Sequence, residues 1–144
     1  MKIYIDTEFN EFRGELISMA LVAEDCNEFY EVLHCEKPGS WVAEHVMPYL
    51  DKTPVSLAVF QSKLQQFLFQ YPRIHLIADW PEDIKHFCES LITGPGICLN
   101  YPPIIMECRR DLSSKDSKVP HNALHDARAI ADQDLSMTYE ELKK

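Results

Sequence analysis

The spacing of apolar positions changes period along the chain, and those changes divide it into elements. Lys2-Ile3-Tyr4-Ile5-Asp6-Thr7-Glu8-Phe9 opens as an apolar strand that ends on two carboxylates one residue apart. Alternation in an extended strand puts Ile3 and Ile5 on one face and Tyr4, Asp6 and Glu8 on the other. Gly14 marks a turn, and 15–24 has a nearly continuous apolar centre, the pattern of a strand buried on both faces. Asp25-Cys26-Asn27 makes a second turn before 28–34, which is rich in aromatic and β-branched residues. Connections this short predict an antiparallel meander of three strands.

Beyond Lys37-Pro38-Gly39-Ser40 the period becomes helical. Val42, His45, Val46 and Tyr49 share a side over 41–50, and Leu57, Phe60, Leu64, Phe67 and Leu68 do so over 56–70. A short apolar strand at 73–78 leads through Asp79-Trp80-Pro81-Glu82-Asp83 into a helix striped by Ile84, Phe87, Cys88 and Leu91. A Gly/Pro loop at 93–103, a last strand at 104–108, a polar loop at 109–120 and a final helix at 122–135 complete the chain. This order suits an α/β fold in which the meander and added parallel strands form one mixed sheet flanked by helices. At 144 residues and 46% hydrophobic, the chain has the size and apolar content of one domain, 1–144, able to bury a core.

Charge and cysteine usage narrow the function. The net charge of -9 argues against a protein that coats long nucleic acid, which needs a broad basic surface. A metal enzyme acting on a strand end needs only a local basic rim, for which Arg109, Arg110, Lys115, Lys118 and Arg128 are candidates. Five cysteines with no Cys-x-x-Cys pair are expected to be reduced, mostly buried thiols rather than a disulfide framework or zinc site. The longest apolar run, 16–23, is too short to span a bilayer, and the N-terminus lacks a secretion layout, so a soluble, cytoplasmic protein is expected.

The candidate chemistry is acidic. Asp6 and Glu8 repel each other unless a cation lies between them, and hard divalent ions take carboxylate oxygens. With Asn122 as the cap of the last helix, Ala123, Ala127 and Ile130 make an inward stripe, and Asp126 lies on that side among them. A carboxylate there is costly unless it is paired or metal-bound. His121 precedes that helix in the loop at its mouth, whereas His125 is about 100° round the helix from Asp126 and faces elsewhere. Between these ends, Asp79 and Asp83 compete for one ligand role. Asp79 and Glu82 have capping-box spacing with Pro81 in the first turn, which leaves Asp83 as the preferred ligand.

Ile5-Asp6-Thr7-Glu8-Phe9, then Asp83-Ile84-Lys85-His86-Phe87, then His121-Asn122-Ala123-Leu124-His125-Asp126-Ala127 resemble the three ordered motifs of the DEDDh 3′-to-5′ exonucleases. The resemblance spans essentially the whole chain and is nearest to the small RNase AS-like and RNase T-like exoribonucleases. It implies a ribonuclease H-like fold, and two Mg²⁺ or Mn²⁺ ions held by Asp6, Glu8, Asp83 and Asp126. His121 is then the general base, with Glu8 helping to orient the attacking water. It further implies release of nucleoside 5′-monophosphates from single-stranded RNA or DNA 3′ ends, and a homodimer. Phe9, Asn10 and Phe12 are placed either to pack on the terminal nucleotide, since stacking on aromatics tolerates any base, or to serve as ordinary core and turn residues. Trp80 either lines the substrate groove or shields a helix cap. Where many relatives have an amide-rich run before the second motif's Asp, this chain has Asp79-Trp80-Pro81-Glu82. RNA and DNA are not distinguished at this level. A metal-dependent endonuclease on the same fold and a binding module without catalysis are the competing readings.

Overall fold

The architecture was obtained as a computed structural model that describes residues 1–144, the side chains of 138 and 139 excepted. The meander forms as the alternation predicts: β1 (Lys2–Phe9), β2 (Leu16–Ala23) and β3 (Glu28–Val32) pair antiparallel through short turns. Then come α1 (Ser40–His45), a 3-10 turn (Met47–Tyr49), α2 (Leu57–Leu68), β4 (Ile74–Ala78) and α3 (Pro81–Leu91). A small hairpin of β5 (Ile92–Gly94) and β6 (Ile97–Cys98), then β7 (Ile104–Cys108) and α4 (Ala123–Glu141), complete the chain. β4 joins β1 in parallel and β7 joins β4 in parallel, giving the sheet order β3-β2-β1-β4-β7. This is a ribonuclease H-like mixed sheet flanked by helices, with the carboxylate-bearing β1 as its central strand.

Each face of the sheet buries a different kind of surface. On one side Ile3, Ile5, Met19, Leu21 and Leu76 pack with Phe60, Leu64 and Phe67 of α2 and Phe87 of α3. On the other, Tyr4, Ala20, Val22 and Ile77 meet Ala123, Ala127, Ile130 and Ala131 of α4. Alanines on both partners let the helix lie close to the sheet, which brings a short aspartate within reach of β1. The register of α4 is held from both ends. At its start Asn122 Oδ1 accepts from the backbone N–H of Leu124 and of His125, and its Nδ2 donates to Tyr49 O at 2.8 Å. Farther along, buried Asp134 accepts from Tyr4 Oη at 2.6 Å and from Arg109 Nη1 at 2.5 Å.

Several expectations need correction. The segment 41–50 is a two-turn helix followed by a 3-10 turn, because Pro48 has no N–H to continue the ladder. The loop 93–103 contains the β5–β6 hairpin. Pro95-Gly96 closes it, with Gly96 at φ +67, the left-handed geometry that glycine adopts without cost. The last helix runs past 135 to Glu141. The Asp79–Glu82 capping box does not form: Trp80 is the N-cap of α3 without a side-chain bond, and Glu82 Oε1 instead accepts from Trp80 Nε1 at 3.1 Å. The cysteines are free, as expected, but only Cys35 is buried and Cys88 half-buried, while Cys26, Cys98 and Cys108 lie exposed in turns and at sheet edges. Among the described residues no helix is long and apolar enough to cross a membrane.

The Tyr4–Asp134 bond joins sheet to helix at a fully buried position. Tyr4→Phe keeps the packing and removes one bond to a charged acceptor, so it should lower the free energy of unfolding by about 1.5–3 kcal/mol. Urea denaturation measures this, with no change expected in the slope of free energy against urea.

Candidate active site

The site is built at the end of the sheet where β1 and β4 finish side by side. Asp6 and Glu8 project from the same face of β1, opposite Ala20 and Ser18 of β2, and the pairing register shifts at Glu8 and Phe9. The turn that follows is held tightly. Asn10 Nδ2 donates to Lys37 O at 2.9 Å and to Glu15 Oε1, and its Oδ1 accepts from Gly39 N at 2.8 Å. Gly14 comes so near that a Cβ there would stand 1.6 Å from Asn10 O.

Thr7, between the two ligand candidates and facing the other way, reaches α3. Its backbone N–H at 3.1 Å and its hydroxyl at 2.6 Å both donate to Asp83 Oδ1, fixing a carboxylate that is 2% exposed. Asp79 leaves the end of β4, one residue beyond Ala78, which pairs with Ile5. Asp126, in the first turn of α4, is 6% exposed. The topology therefore gathers five carboxylates, in two trios. Ligand oxygens of Asp6, Glu8 and Asp126 all lie within 4.8 Å of one another, and so do those of Asp6, Asp79 and Asp83. Asp6 belongs to both.

The electrostatics follow from that crowding. Burial, reinforced by Asp83, Glu8, Asp126 and Asp79, pushes the Asp6 carboxyl far above the ordinary aspartate range. Burial beside Asp126 and Asp83 lifts Glu8 to about 9. Asp83 is raised to about 8, mainly by burial, with the Thr7 bonds acting against it. Asp126 is also raised by burial, opposed by Ser117, by the charge of the His121 ring and by a backbone bond from His121. Asp79 is raised by burial, opposed by Arg110.

Three buried oxygens, Asp6 Oδ2, Asp83 Oδ2 and Asp126 Oδ1, have no hydrogen-bond partner in the fold. Unpaired buried acceptors on like-charged groups are the costliest arrangement a core can contain, and a divalent cation with oxygen ligands removes the cost at each of them. The residues present fit such ions.

His121 is exposed on the loop before α4 with φ 68, and its ring meets Trp41 edge-on at 5.1 Å, with His45 at 6.5 Å. His125 is half-buried and borders a different surface, beside Arg128 and Asp132. Phe9 stacks on His86 at 4.9 Å, and Phe12 is 82% exposed beneath Arg13. The side chain of Asn10 is occupied within the chain. Of the basic candidates, Arg109 is bound to Asp134 and Asp111 and Arg128 to Glu28. Arg110 lies 4.8 Å over the Trp80 ring and donates to Asp79 O at the site's edge, and Lys115 and Lys118 are exposed.

Comparison with known proteins accords with this geometry. No family model matches the chain. Two curated proteins do: the 3′-5′ exoribonuclease Rv2179c of Mycobacterium tuberculosis strain H37Rv, and the 3′-5′ exoribonuclease MT2234.1 of strain CDC 1551. Each is 32% identical to this chain, over 89% of it and 88% of the relative. The chain belongs to this 3′-5′ exoribonuclease family. The structure clusters the four carboxylates expected as ligands from the sequence, and with them Asp79, the competing candidate for the Asp83 role. Sequence reasoning passed over Thr7, Trp41 and Ser117. Alternation could have flagged Thr7, since a polar residue facing a helix between two ligands needs a partner. The Trp41–His121 contact joins distant segments and left no local signal.

The raised carboxyl groups predict how stability depends on pH. A carboxyl whose folded value lies above its unfolded value binds more protons when folded. Its contribution is therefore complete below the ordinary range, near 3.8–4.5, and is lost as pH rises through the folded values of about 8 and 9. In EDTA the melting temperature should fall steadily from pH 5 to pH 9, and Mn²⁺ or Mg²⁺ should restore it most at the alkaline end. Thermal scans across that range test this, and a metal-free protein that gains stability with pH would contradict it.

Proposed function

We propose that this chain is a DEDDh-type 3′-5′ exoribonuclease that shortens single-stranded RNA ends and releases nucleoside 5′-monophosphates. The observation that carries the reading is the pair of carboxylate trios sharing Asp6, a donor set suited to two divalent ions. Asp6, Glu8, Asp83 and Asp126 are the ligands in this reading, and Asp79 joins Asp6 and Asp83 around one of the two ions. When bound, Mg²⁺ or Mn²⁺ supplies charge stabilisation to the attacking and leaving oxygens of phosphodiester hydrolysis.

The chain's own residues do the rest. His121, exposed beside the cluster on the loop at the mouth of α4, takes the proton from the attacking water. An exposed imidazole can accept that proton and give it up again. Trp41 supports that ring from the side. Thr7 fixes one carboxylate oxygen of Asp83 and leaves the other for an ion. Phe12 offers an exposed ring for stacking, with Arg13 over one side of it, while Phe9 packs on His86. Asn10 acts by pinning the turn that carries both rings. Arg110, which donates to Asp79 O, supplies the local basic rim. The RNA substrate rests on the names of the two relatives, and the homodimer on the resemblance of the motifs.

The test is to incubate the protein with 5′-labelled single-stranded RNA and matched DNA in Mg²⁺, Mn²⁺ or EDTA. The expected result is a metal-dependent ladder that shortens from the 3′ end and is faster on RNA. His121→Ala should slow it about 10²–10⁴-fold with little change in KM, the range for loss of a general base. Internal cuts would point to an endonuclease instead. No cleavage of either strand despite metal binding would point to a binding module.

A further inference from the structure

The chain leaving β7 carries two consecutive arginines that the fold treats in opposite ways. Parallel pairing of β4 and β7 runs to Ala78 and Cys108, and the backbone N–H of Arg109 donates to Ala78 O at 2.7 Å. The Arg109 guanidinium is then fully used, with Nε, Nη1 and Nη2 all donating to Asp111 or Asp134. Arg110 instead reaches over the end of β4. Its Nη1 donates to Asp79 O, and its guanidinium carbon lies 4.8 Å over the Trp80 ring. Its charge acts on the Asp79 carboxyl without bonding to it. Among the described residues Arg110 forms no ion pair, its other guanidinium N–H groups have no protein acceptor, and the residue is exposed.

A structural role explains the two contacts, since an arginine on an aromatic face can staple a loop to the start of α3. It does not explain why an unpaired cation is stationed at the edge of Asp6, Asp79 and Asp83, a trio suited to holding a cation itself. Like charges so placed need an anion between them, and a phosphodiester supplies one. In-line displacement says which part of it. The attacking and leaving oxygens stand on opposite sides of the phosphorus. His121 marks the attacking side, because it adjoins Asn122, the cap of the helix that carries Asp126. Asp79 belongs to the other trio, which meets the first only at Asp6, so Arg110 marks the leaving side.

We propose that Arg110 is a catalytic residue that stabilises the departing 3′-oxygen of the shortened strand. The inference rests on the exoribonuclease reading and deepens it. The water oxygen bonds to phosphorus as its proton passes to His121, and the bond from phosphorus to the 3′-oxygen breaks with its electron pair going to that oxygen. The terminal nucleotide is released as a nucleoside 5′-monophosphate, and the strand is left with a 3′-alkoxide that takes a proton from solvent. An arginine supplies charge and N–H groups rather than a proton, which suits an oxygen on which negative charge is developing. Fixed beforehand by Trp80 and Asp79 O, the group has no reorganisation to undergo when that charge appears.

Single-turnover shortening of 5′-labelled RNA in Mn²⁺, and RNA affinity by fluorescence anisotropy in Ca²⁺, separate catalysis from binding. Arg110→Ala should lower the rate about 10²–10³-fold, the range for losing one donor to a developing oxyanion, with affinity unchanged. Arg110→Lys, which keeps the charge but not the planar fork, should recover part of the rate. Unchanged melting temperatures establish that both variants fold. RNA whose last linkage has sulfur in place of the bridging 3′-oxygen releases a thiolate, a much weaker base than an alkoxide, which leaves without such help. On that RNA Arg110→Ala should cut at close to the wild-type rate. Equal losses on the two linkages would mean that the substitution disturbs the carboxylates, and weaker binding at an unchanged rate would mean that Arg110 only grips a phosphate. Either result, or no effect at all, overturns the inference and leaves the exoribonuclease reading standing. Failure of wild type to shorten any RNA removes both.

Discussion

The constraint on which this molecule depends is the mutual repulsion of the carboxylates around Asp6. Five acidic groups contributed by β1, the end of β4, α3 and α4 converge in a volume small enough for Asp6 to share oxygen contacts with two separate trios. Left to itself such a cluster disperses or takes up protons, and the large upward shifts of Asp6, Glu8 and Asp83 express that tendency. The fold opposes dispersal chiefly with rigid supports, with Arg110 beside Asp79 as a cation at the edge. Asp6 and Glu8 are fixed on the central strand, Asp83 is held through Thr7, and Asp126 sits on a helix packed close by alanines and locked by Asn122 and Asp134. Arg109 and Arg128 are engaged away from the cluster, Arg109 on Asp134 and Asp111 and Arg128 on Glu28.

That arrangement gives the negative net charge a local meaning. Five of the 23 acidic residues gather at this one place, and Arg110 stands at its edge, donating to Asp79 O. Aromatic surface is divided in the same way. Phe9 is folded back onto His86, while Phe12 and Trp80 are left open to the solvent.

How much of this was legible in the sequence depended on whether the signal was local. The meander, the parallel strands and the faces of the helices followed from periods of two and 3.6, because burial on one face imposes them. Asp6, Glu8 and Asp126 were visible because a charge on an otherwise apolar stripe contradicts its surroundings. The capping box failed because the spacing of Asp79 and Glu82 is also compatible with a chain that enters α3 extended at Trp80, and only the tertiary fold decides between them. Pro95-Gly96 was read as a loop because the strands it joins are only two and three residues long, too short to show a period. The exposed cysteines followed from sheet edges and turns that composition cannot locate. Contacts such as Trp41 with His121 join segments eighty residues apart and depend on the path of the chain between them.

The central claim is that Asp6 is shared between two cation sites, and a count of bound ions tests it most directly. Mn²⁺ titration followed by electron paramagnetic resonance should find two ions per chain in wild type. Asp126→Asn and Asp83→Asn should each lose one, and Asp6→Asn should lose both. A single ion in wild type, or two ions retained by Asp6→Asn, would contradict the account.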